Sequence, residues 1–370
     1  MTFESTYRTG SPADGLVTSD LRRIIDTDAG LWRSLRHSHI FLTGGTGFIG
    51  TWLLEALHHA DRTLGLDLKA TILTRDPARF AIKAPHLAAW PGFSFVTGDV
   101  LSSDVPAGAF THLIHAATDA SAALNERHPL AMFDTIVSGT RWALELARLR
   151  GIPRTLFISS GAVYGQQPWE LERMPETWSG GPICTNPLAA YAEGKRAAEM
   201  LCAIYARQFD LDIVTARIFA LLGPYMELGT HFAAGNFIRD AMQGRPVVVK
   251  GDGRPCRSYL YAADMSAWLL AMLVKARPGA VYNVGSDQAV SIADLARRTS
   301  DLLGGAGVTI LGAQDPGWNP GRYVPDTSLI RSELGAQQTQ SLDEAILKTA
   351  LWNGWEPKSP QTGMCLHARI

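Results

Sequence analysis

The sequence predicts a doubly wound parallel α/β sheet joined to a smaller C-terminal α/β domain. Three observations carry this. From His39 onward, short β-branched runs alternate with longer Ala/Leu-rich stretches of helical period, a pattern that builds a parallel sheet covered by helices. A glycine turn, Gly44-x-x-Gly47-x-x-Gly50, joins the first such run to the first helical stretch. After Phe219 the alternation weakens into loops rich in Gly and Pro, which marks a second unit.

Taken in order, residues 1 to about 20 are polar and rich in Ser, Thr and Gly, a composition expected to be disordered. A short helix over Asp20–Asp26 and a Trp-bearing connector over Leu31–Arg36 lead to the first strand. Strands are expected at His39–Thr43, Ala70–Thr74, Phe93–Thr97, His112–His115, Thr155–Ser159, Ile213–Arg217 and Ala280–Val284. Helices are expected at Gly47–Ala60, Pro129–Arg150, Ala189–Phe209 and Ala262–Lys275. A helix near Phe232–Gln243 and a strand Val247–Val249 belong to the smaller unit. The resulting division is an N-terminal extension over 1–36, a larger domain over 37–218 plus about 256–286, a smaller one over 219–255 and 287–355, and a tail over 356–370.

Of the 370 residues, 46% are hydrophobic and 19% charged, ordinary for a globular protein with a sizeable core. The formal net charge of −1 favours neither nucleic acid nor an anionic membrane as partner. No apolar run reaches the roughly 18 residues of a membrane helix. The stretch MTFESTYRTGSPADG has no apolar core of the kind a secretory signal carries. Cys184, Cys202, Cys256 and Cys365 lie far apart, without metal-ligand spacing, so no metal site or disulfide framework is expected. A cytoplasmic location with reduced thiols follows as the simplest expectation.

The stretch HIFLTGGTGFIG carries the first chemistry. Glycine lets the backbone turn sharply and come close to a pyrophosphate, and the following helix supplies free N–H groups and the positive end of its dipole. Gly44, Thr46, Gly47, Phe48 and Ile49 are therefore expected against a dinucleotide, NAD or NADP. The second strand ends at Thr74, followed by Arg75 and Asp76. A carboxylate there would hold ribose hydroxyls, and an Arg would suit a 2′-phosphate; Arg75 is the candidate for the latter.

The second chemistry lies downstream. Strand Thr155–Ser159 runs into Ser160, and Tyr191 precedes Lys195 by four residues on a helical stretch, so the two share a face. Hydride transfer at a carbinol needs a group to take the hydroxyl proton. A free phenol, with pKa about 10, is a poor base at neutral pH. A nearby ammonium and a cationic nicotinamide both favour phenolate. This pattern resembles the site of the short-chain dehydrogenases, and the resemblance implies that Ser160 bonds the reacting oxygen and that Lys195 also holds the nicotinamide ribose.

The glycine spacing, Ser160 and the Tyr191–Lys195 pair together resemble the short-chain dehydrogenase/reductase family with its Rossmann domain. From about His39 to Leu334 the chain resembles the extended members of that family, the nucleotide-sugar epimerases and dehydratases of the UDP-glucose 4-epimerase type. The supporting stretches are Val163-Tyr164-Gly165, Ala216–Phe219, Gly223-Pro224-Tyr225, Gly251-Asp252-Gly253 and Arg257-Ser258-Tyr259. The resemblance implies that Asp99 and Val100 meet the adenine and that Ala116 and Ala117 form the small-residue turn beside the cofactor. It also implies that Arg257 and Arg322 clamp the diphosphate of a nucleotide sugar and that Asn236 cradles its nucleotide. A homodimer through helices Pro129–Arg150 and Ala189–Phe209 is implied in the same way.

The departures matter equally. Related 4,6-dehydratases carry an Asp-Glu pair just after the catalytic hydroxyl residue, and the decarboxylases carry a Glu there; this chain has Gly161 and Ala162. Ala220 and Ile136 stand where the family usually has Asn. The expected activity is thus hydride transfer at the sugar C4, as a 4-epimerase with retained NAD or a 4-ketoreductase using NADPH. A dehydratase or a decarboxylase stays open if Glu170, Glu172, Glu176 or Cys184 supplies the acid. A reductase of non-nucleotide carbonyls and a non-catalytic nucleotide-sensing protein are the remaining alternatives.

Overall fold

Apolar side chains alternate across the strands and decide the layering. In the computed structural model, which describes residues 12–104, 106–118, 122–229, 232–315, 317 and 319–357, Ile40 and Leu42 of strand β1 (His39–Thr43) join one core while Phe41 joins another. Strand β5 (Arg154–Ser160) does the same, with Leu156 and Ile158 on the first side and Phe157 on the second. A strand buried on both faces needs helices on both. The first face is covered by helices Phe48–Leu64 and Ala262–Lys275, and the second by Pro129–Arg150 and Ala190–Phe209.

The remaining strands of this sheet are β2 (Lys69–Thr74), β3 (Phe93–Thr97), β4 (His112–His115), β6 (Ile213–Ile218) and a last one, Val281–Val284. All seven are parallel, in the order β3-β2-β1-β4-β5-β6 and then Val281–Val284. This is the doubly wound arrangement, with its chain reversal between β1 and β4, where a crevice opens at the strands' C-terminal ends. Small sheets lie outside it. Leu221–Leu222 pairs with Leu260–Tyr261, and Val247–Val249 with Val308–Ile310. Cys256–Arg257 sits between Val290–Ser291 and Arg322–Tyr323. No helix among the described residues is long and apolar enough to cross a membrane.

The N-terminal segment differs from its expectation. A helix spans Pro12–Thr27, so residues 12–19 are ordered, while residues 1–11 and 358–370 (with Cys365) lie outside the described residues. Val17, Leu21, Ile24 and Ile25 of this helix are buried at helical spacing. The fully buried Asp20 accepts hydrogen bonds from Tyr261 Oη (2.6 Å), Lys348 Nζ (2.6 Å) and Arg23 (2.8 Å). The polar composition hid this apolar stripe. The connector likewise contains a turn of helix, Ala29–Ser34, with Leu31 and Trp32 buried. The helix expected to stop at Ala60 runs on to Leu64, because its first left-handed residue is Gly65, at φ +59°.

The glycine turn holds the two halves of the crevice together. Gly44 has φ +70°, and a Cβ there would stand 2.5 Å from the carbonyl of Ala116. A Cβ on Gly50 would stand 2.4 Å from the carbonyl oxygen of Gly44. Gly47 differs: it caps helix Phe48–Leu64 with extended backbone, and its nearest neighbour would be at 3.4 Å. Gly44 and Gly50 are thus required by the protein itself, and Gly47 is not. We expect Gly50→Ala to lose about 2 kcal/mol or more of stability, within the range for forced backbone clashes. Gly47→Ala should melt close to the parent and lose dinucleotide affinity instead. Thermal unfolding and cofactor titration of both variants check this; equal melting temperatures would refute it.

Candidate active site

Ser160 ends strand β5, and its Oγ accepts a hydrogen bond from Ala162 N (3.2 Å), capping the single 3-10 turn Gly161–Tyr164. Helix Ala190–Phe209 brings Tyr191 and Lys195 alongside. Tyr191 has Ser160 as the polar group that acts on its phenol. Its backbone N–H donates to Asn125 Oδ1 (3.0 Å), while Asn125 Nδ2 donates to Leu188 O (2.8 Å), so one amide fixes the helix start and the loop before it. In the protein alone, burial holds the Tyr191 phenol above its ordinary pKa, and Ser160 pulls it the other way. The lowering expected from Lys195 is not the direction these residues set by themselves.

Lys195 is buried. Its Nζ donates to Ile158 O (2.8 Å) and Thr118 Oγ1 (2.8 Å) and lies 5.1 Å from the centre of the Phe157 ring. Burial pulls its pKa down to about 7, against the opposing charge of Glu199. Glu199 in turn accepts from Ser159 Oγ (2.6 Å) and pairs with Arg217 (2.7 Å), which also donates to Tyr164 Oη (2.8 Å). This network backs the end of β5 from behind.

On the cofactor side the predicted residues converge. Ala116 N donates to Thr43 O (3.1 Å) and Ala117 N to Thr43 Oγ1 (3.2 Å), which presses this small-residue turn onto Gly44. Thr118 follows directly and binds Lys195, so the cofactor crevice and the Tyr191–Lys195 helix are tied by one hydroxyl. Behind it, buried His115 bridges Thr43 (2.7 Å) and Thr140 (3.2 Å), and burial lowers its pKa to about 3, so it stays neutral. Thr46 Oγ1 lies 3.3 Å from Thr74 Oγ1. Phe48 and Ile49 open helix Phe48–Leu64. Asp76 is spent on capping helix Pro77–Lys83, accepting from Arg79 N (2.9 Å), while Arg75 is exposed. Lys83, which the sequence reading passed over, donates to Thr46 O (3.0 Å) and Thr51 Oγ1 (3.1 Å) beside the turn. Asp99 accepts from Leu101 N (2.9 Å), and buried Val100 packs against Gly139, whose Cβ would stand 2.7 Å away.

On the opposite side, the pairing of Cys256–Arg257 with Arg322–Tyr323 sets the two predicted arginines on neighbouring strands. The Arg257 guanidinium lies 6.0 Å from the Tyr323 ring, and that of Arg322 lies 4.7 Å from the Trp169 ring. Arg322 Nε is buried with no hydrogen-bond partner. Asn236 is half-buried on helix Ala233–Met242. Tyr323 is the residue the sequence reading missed. Its hydroxyl stands against Gly161, where a Cβ would be 2.7 Å away, and only its place beside Arg322 hinted at it. Of the loop acids, Glu176 accepts from Asn283 N (2.9 Å) inside the frame, and burial raises its pKa. Glu170, Glu172 and Cys184 are exposed.

The chain is similar to known proteins. Over 315 residues the chain is 30% identical to UDP-glucuronic acid decarboxylase 1 of Xenopus tropicalis, covering 84% of this chain and 70% of that one. It is 27% identical to the dTDP-glucose 4,6-dehydratase of Streptomyces niveus, over 87% and 96% of the two chains. The fold is shared with a UDP-N-acetylglucosamine 4-epimerase from Methanobrevibacter ruminantium M1, solved with UDP-N-acetylmuramic acid, at TM-score 0.73, 22% identity and coverage of 86% and 98%. The profile of the NAD dependent epimerase/dehydratase family matches residues 40–285. The chain is a member of this family of NAD-dependent enzymes.

Proposed function

We propose that the protein modifies a nucleotide-activated sugar by hydride transfer at its C4, as a 4-epimerase or a 4-ketoreductase. The observation that carries this is the makeup of the wall beside Ser160. Ser160 is the polar group acting on the Tyr191 phenol, while Gly161 and Ala162 supply no ionisable group and Phe219 and Tyr323 fill the space around Gly161. Such a site can move a proton on and off an oxygen and lacks the acid–base pair that elimination across C5 and C6 needs.

The described residues fit a nicotinamide dinucleotide. Gly44, Thr46, Gly47, Phe48 and Ile49 would take the pyrophosphate, Asp99 and Val100 the adenine, Ala116 and Ala117 the adjoining edge, and Tyr191 with Lys195 the nicotinamide ribose. When bound, the dinucleotide supplies the acceptor or donor of the hydride. Ser160 orients the reacting oxygen and Tyr191 carries its proton. Arg257 and Arg322 face a diphosphate as two fixed guanidinium groups, and Asn236 contacts the nucleotide. The division into a cofactor domain over 37–218 plus about 256–286 and a substrate domain over 219–255 and 287–355 belongs to this reading. A second reading, decarboxylation or dehydration, is favoured by the names of the curated relatives.

Incubation with UDP- and dTDP-glucose, UDP-glucuronate and their 4-keto derivatives, followed by product NMR, separates the two. C4 epimers or reduced 4-keto sugars are expected; a 6-methyl signal or released carbon dioxide would transfer the assignment to the second reading. In the same assay Tyr191→Phe should cost about 10²- to 10⁴-fold in turnover, as loss of a general acid–base group does, while the fold is retained. Turnover within a few-fold of the parent would remove Tyr191 from its role.

Two further outcomes are expected. With Asp76 engaged as a helix cap and Arg75 exposed, NADP(H) should bind more tightly than NAD(H), and Arg75→Ala should erase the difference. Equal affinities in both proteins would reduce Arg75 to a turn residue. Helices Pro129–Arg150 and Ala190–Phe209 leave Leu130, Leu149, Met200 and Ile204 exposed, a second apolar surface that suits a homodimer. Light scattering at micromolar concentration should give twice the chain mass, and a monomer would oppose this.

A further inference from the structure

A lysine ammonium carries three donors and no acceptor. The protein itself takes two of those donors in Lys195. Its Nζ donates to Ile158 O and to Thr118 Oγ1, each at 2.8 Å. The carboxylate that acts on it, Glu199, is itself bound by Arg217 (2.7 Å) and by Ser159 Oγ (2.6 Å). Two neutral oxygens therefore hold the Lys195 head group.

The two oxygens differ in kind. Ile158 O is a backbone carbonyl of strand β5 and can only accept. Thr118 reaches Lys195 with a side-chain hydroxyl from the loop after β4. A hydroxyl can give or take a hydrogen bond, and accepting one from a cation favours the charged form. Here the hydroxyl proton is already engaged, because Thr118 Oγ1 donates to Ala117 O at 2.7 Å. The oxygen is thus left to face Lys195 as an acceptor. Its own base is fixed as well. Ala117 N donates to Thr43 Oγ1 (3.2 Å) and Ala116 N to Thr43 O (3.1 Å), with the backbone of Ala116 pressed against Gly44.

We propose that Thr118 is a positioning residue whose hydroxyl holds Lys195 as the ammonium and leaves one of its N–H groups for the nicotinamide ribose. This deepens the hydride-transfer reading of the site and rests on it for its purpose, though not for its measurement. Burial brings the Lys195 pKa down to about 7, so near neutrality one acceptor more or less changes how much of the group is charged. Without the Thr118 acceptor the ammonium loses more than the amine does, and the Lys195 midpoint falls. Less positive charge then stands one helical turn from Tyr191, and its phenolate forms less readily. The other charged and titratable groups facing Lys195 are Glu199, Cys202 and Tyr191 on its own helix and His115 on β4, with Arg217 of β6 behind Glu199. All of them stay in place in the variants below.

The test is a pH titration of lysine ¹³Cε signals in the labelled full-length protein, saturated with NAD and without substrate. The Lys195 signal is assigned by its loss in Lys195→Met. Thr118→Val keeps the shape of the side chain and removes the acceptor. Its Lys195 midpoint should fall by about half to one pH unit, the scale on which a hydrogen bond to a charged group exceeds one to a neutral group. Thr118→Ser keeps the hydroxyl and should titrate with the parent. An unchanged or raised midpoint in Thr118→Val overturns the proposal, and so does a serine variant that titrates with the valine one. Should Thr118→Val fail to fold, Thr118→Ala carries the same test with the same expected fall. Because no substrate is present, a failed titration rejects the role of Thr118 alone, whereas failure of the nucleotide-sugar reading would show only in the product assay.

Discussion

Parallel strand register is the constraint on which the site depends. Thr43 of β1 stands level with His115 of β4, and His115 stands level with Phe157 of β5. Strand β5 then continues for three residues to Ser160, paired with Ile218 of β6. At about 3.3 Å per residue, this overhang carries Ser160 roughly 10 Å beyond the level at which β1 turns into its helix. The crevice therefore has a low side, made by Gly44, Ala116 and Ala117, and a high side, made by Ser160. Lys195 spans the step. It bonds Ile158 O on the overhanging strand and Thr118 on the loop that leaves β4. A one-residue slip in either pairing would turn the alternating core inside out, so the step is protected by the packing of the whole sheet.

Most of this frame could be read from the sequence, because buried parallel strands and long amphipathic helices announce themselves locally. Strands His39–Thr43, Phe93–Thr97 and His112–His115, and helices Pro129–Arg150 and Ala262–Lys275, coincide with their expected bounds. What could not be read depends on distant partners. The two-residue strands Cys256–Arg257 and Arg322–Tyr323 have no pattern of their own and exist only because they pair. Helix Pro12–Thr27 is held by a buried carboxylate, Asp20, whose partners Tyr261 and Lys348 come from far along the chain. The three glycines of the turn look equivalent in sequence, yet only backbone contacts from Ala116 and Gly45 separate Gly44 and Gly50 from Gly47. Tyr323 shows no signal until Gly161 is seen beside it.

Burial sets the electrostatics beneath the site. His115 is kept neutral and serves as a fixed bridge between Thr43 and Thr140, so the end of β4 does not change its bonding across the physiological range. Lys195 is poised differently. Burial would strip its proton, and the carboxylate of Glu199 opposes this. Glu199 is itself held by Arg217 and Ser159. The charge available next to Tyr191 is therefore supported, against burial, by a carboxylate one helical turn beyond Lys195.

The chemistry open to such a site follows from which atoms can part with a proton. A phenol and a serine hydroxyl exchange protons with an oxygen cheaply, because the donor and acceptor are of the same kind and the transfer runs along an existing hydrogen bond. Removing a proton from carbon beside a carbonyl demands a stronger base held at that carbon, and expelling a hydroxyl demands an acid on its far side. Next to Ser160 the wall consists of Gly161, Ala162, Phe219 and Tyr323, none of which is a carboxylate. Glu176, the best-placed acid in the sequence, is turned into the frame, where it receives Asn283 N. Nor can a small shift bring it out without exposing that backbone donor and the Asn283–Tyr164 bond beside it, each an expensive loss when buried. The neutral wall is thus built into the support of the strand ends, and the proposed hydride-transfer reading rests on it.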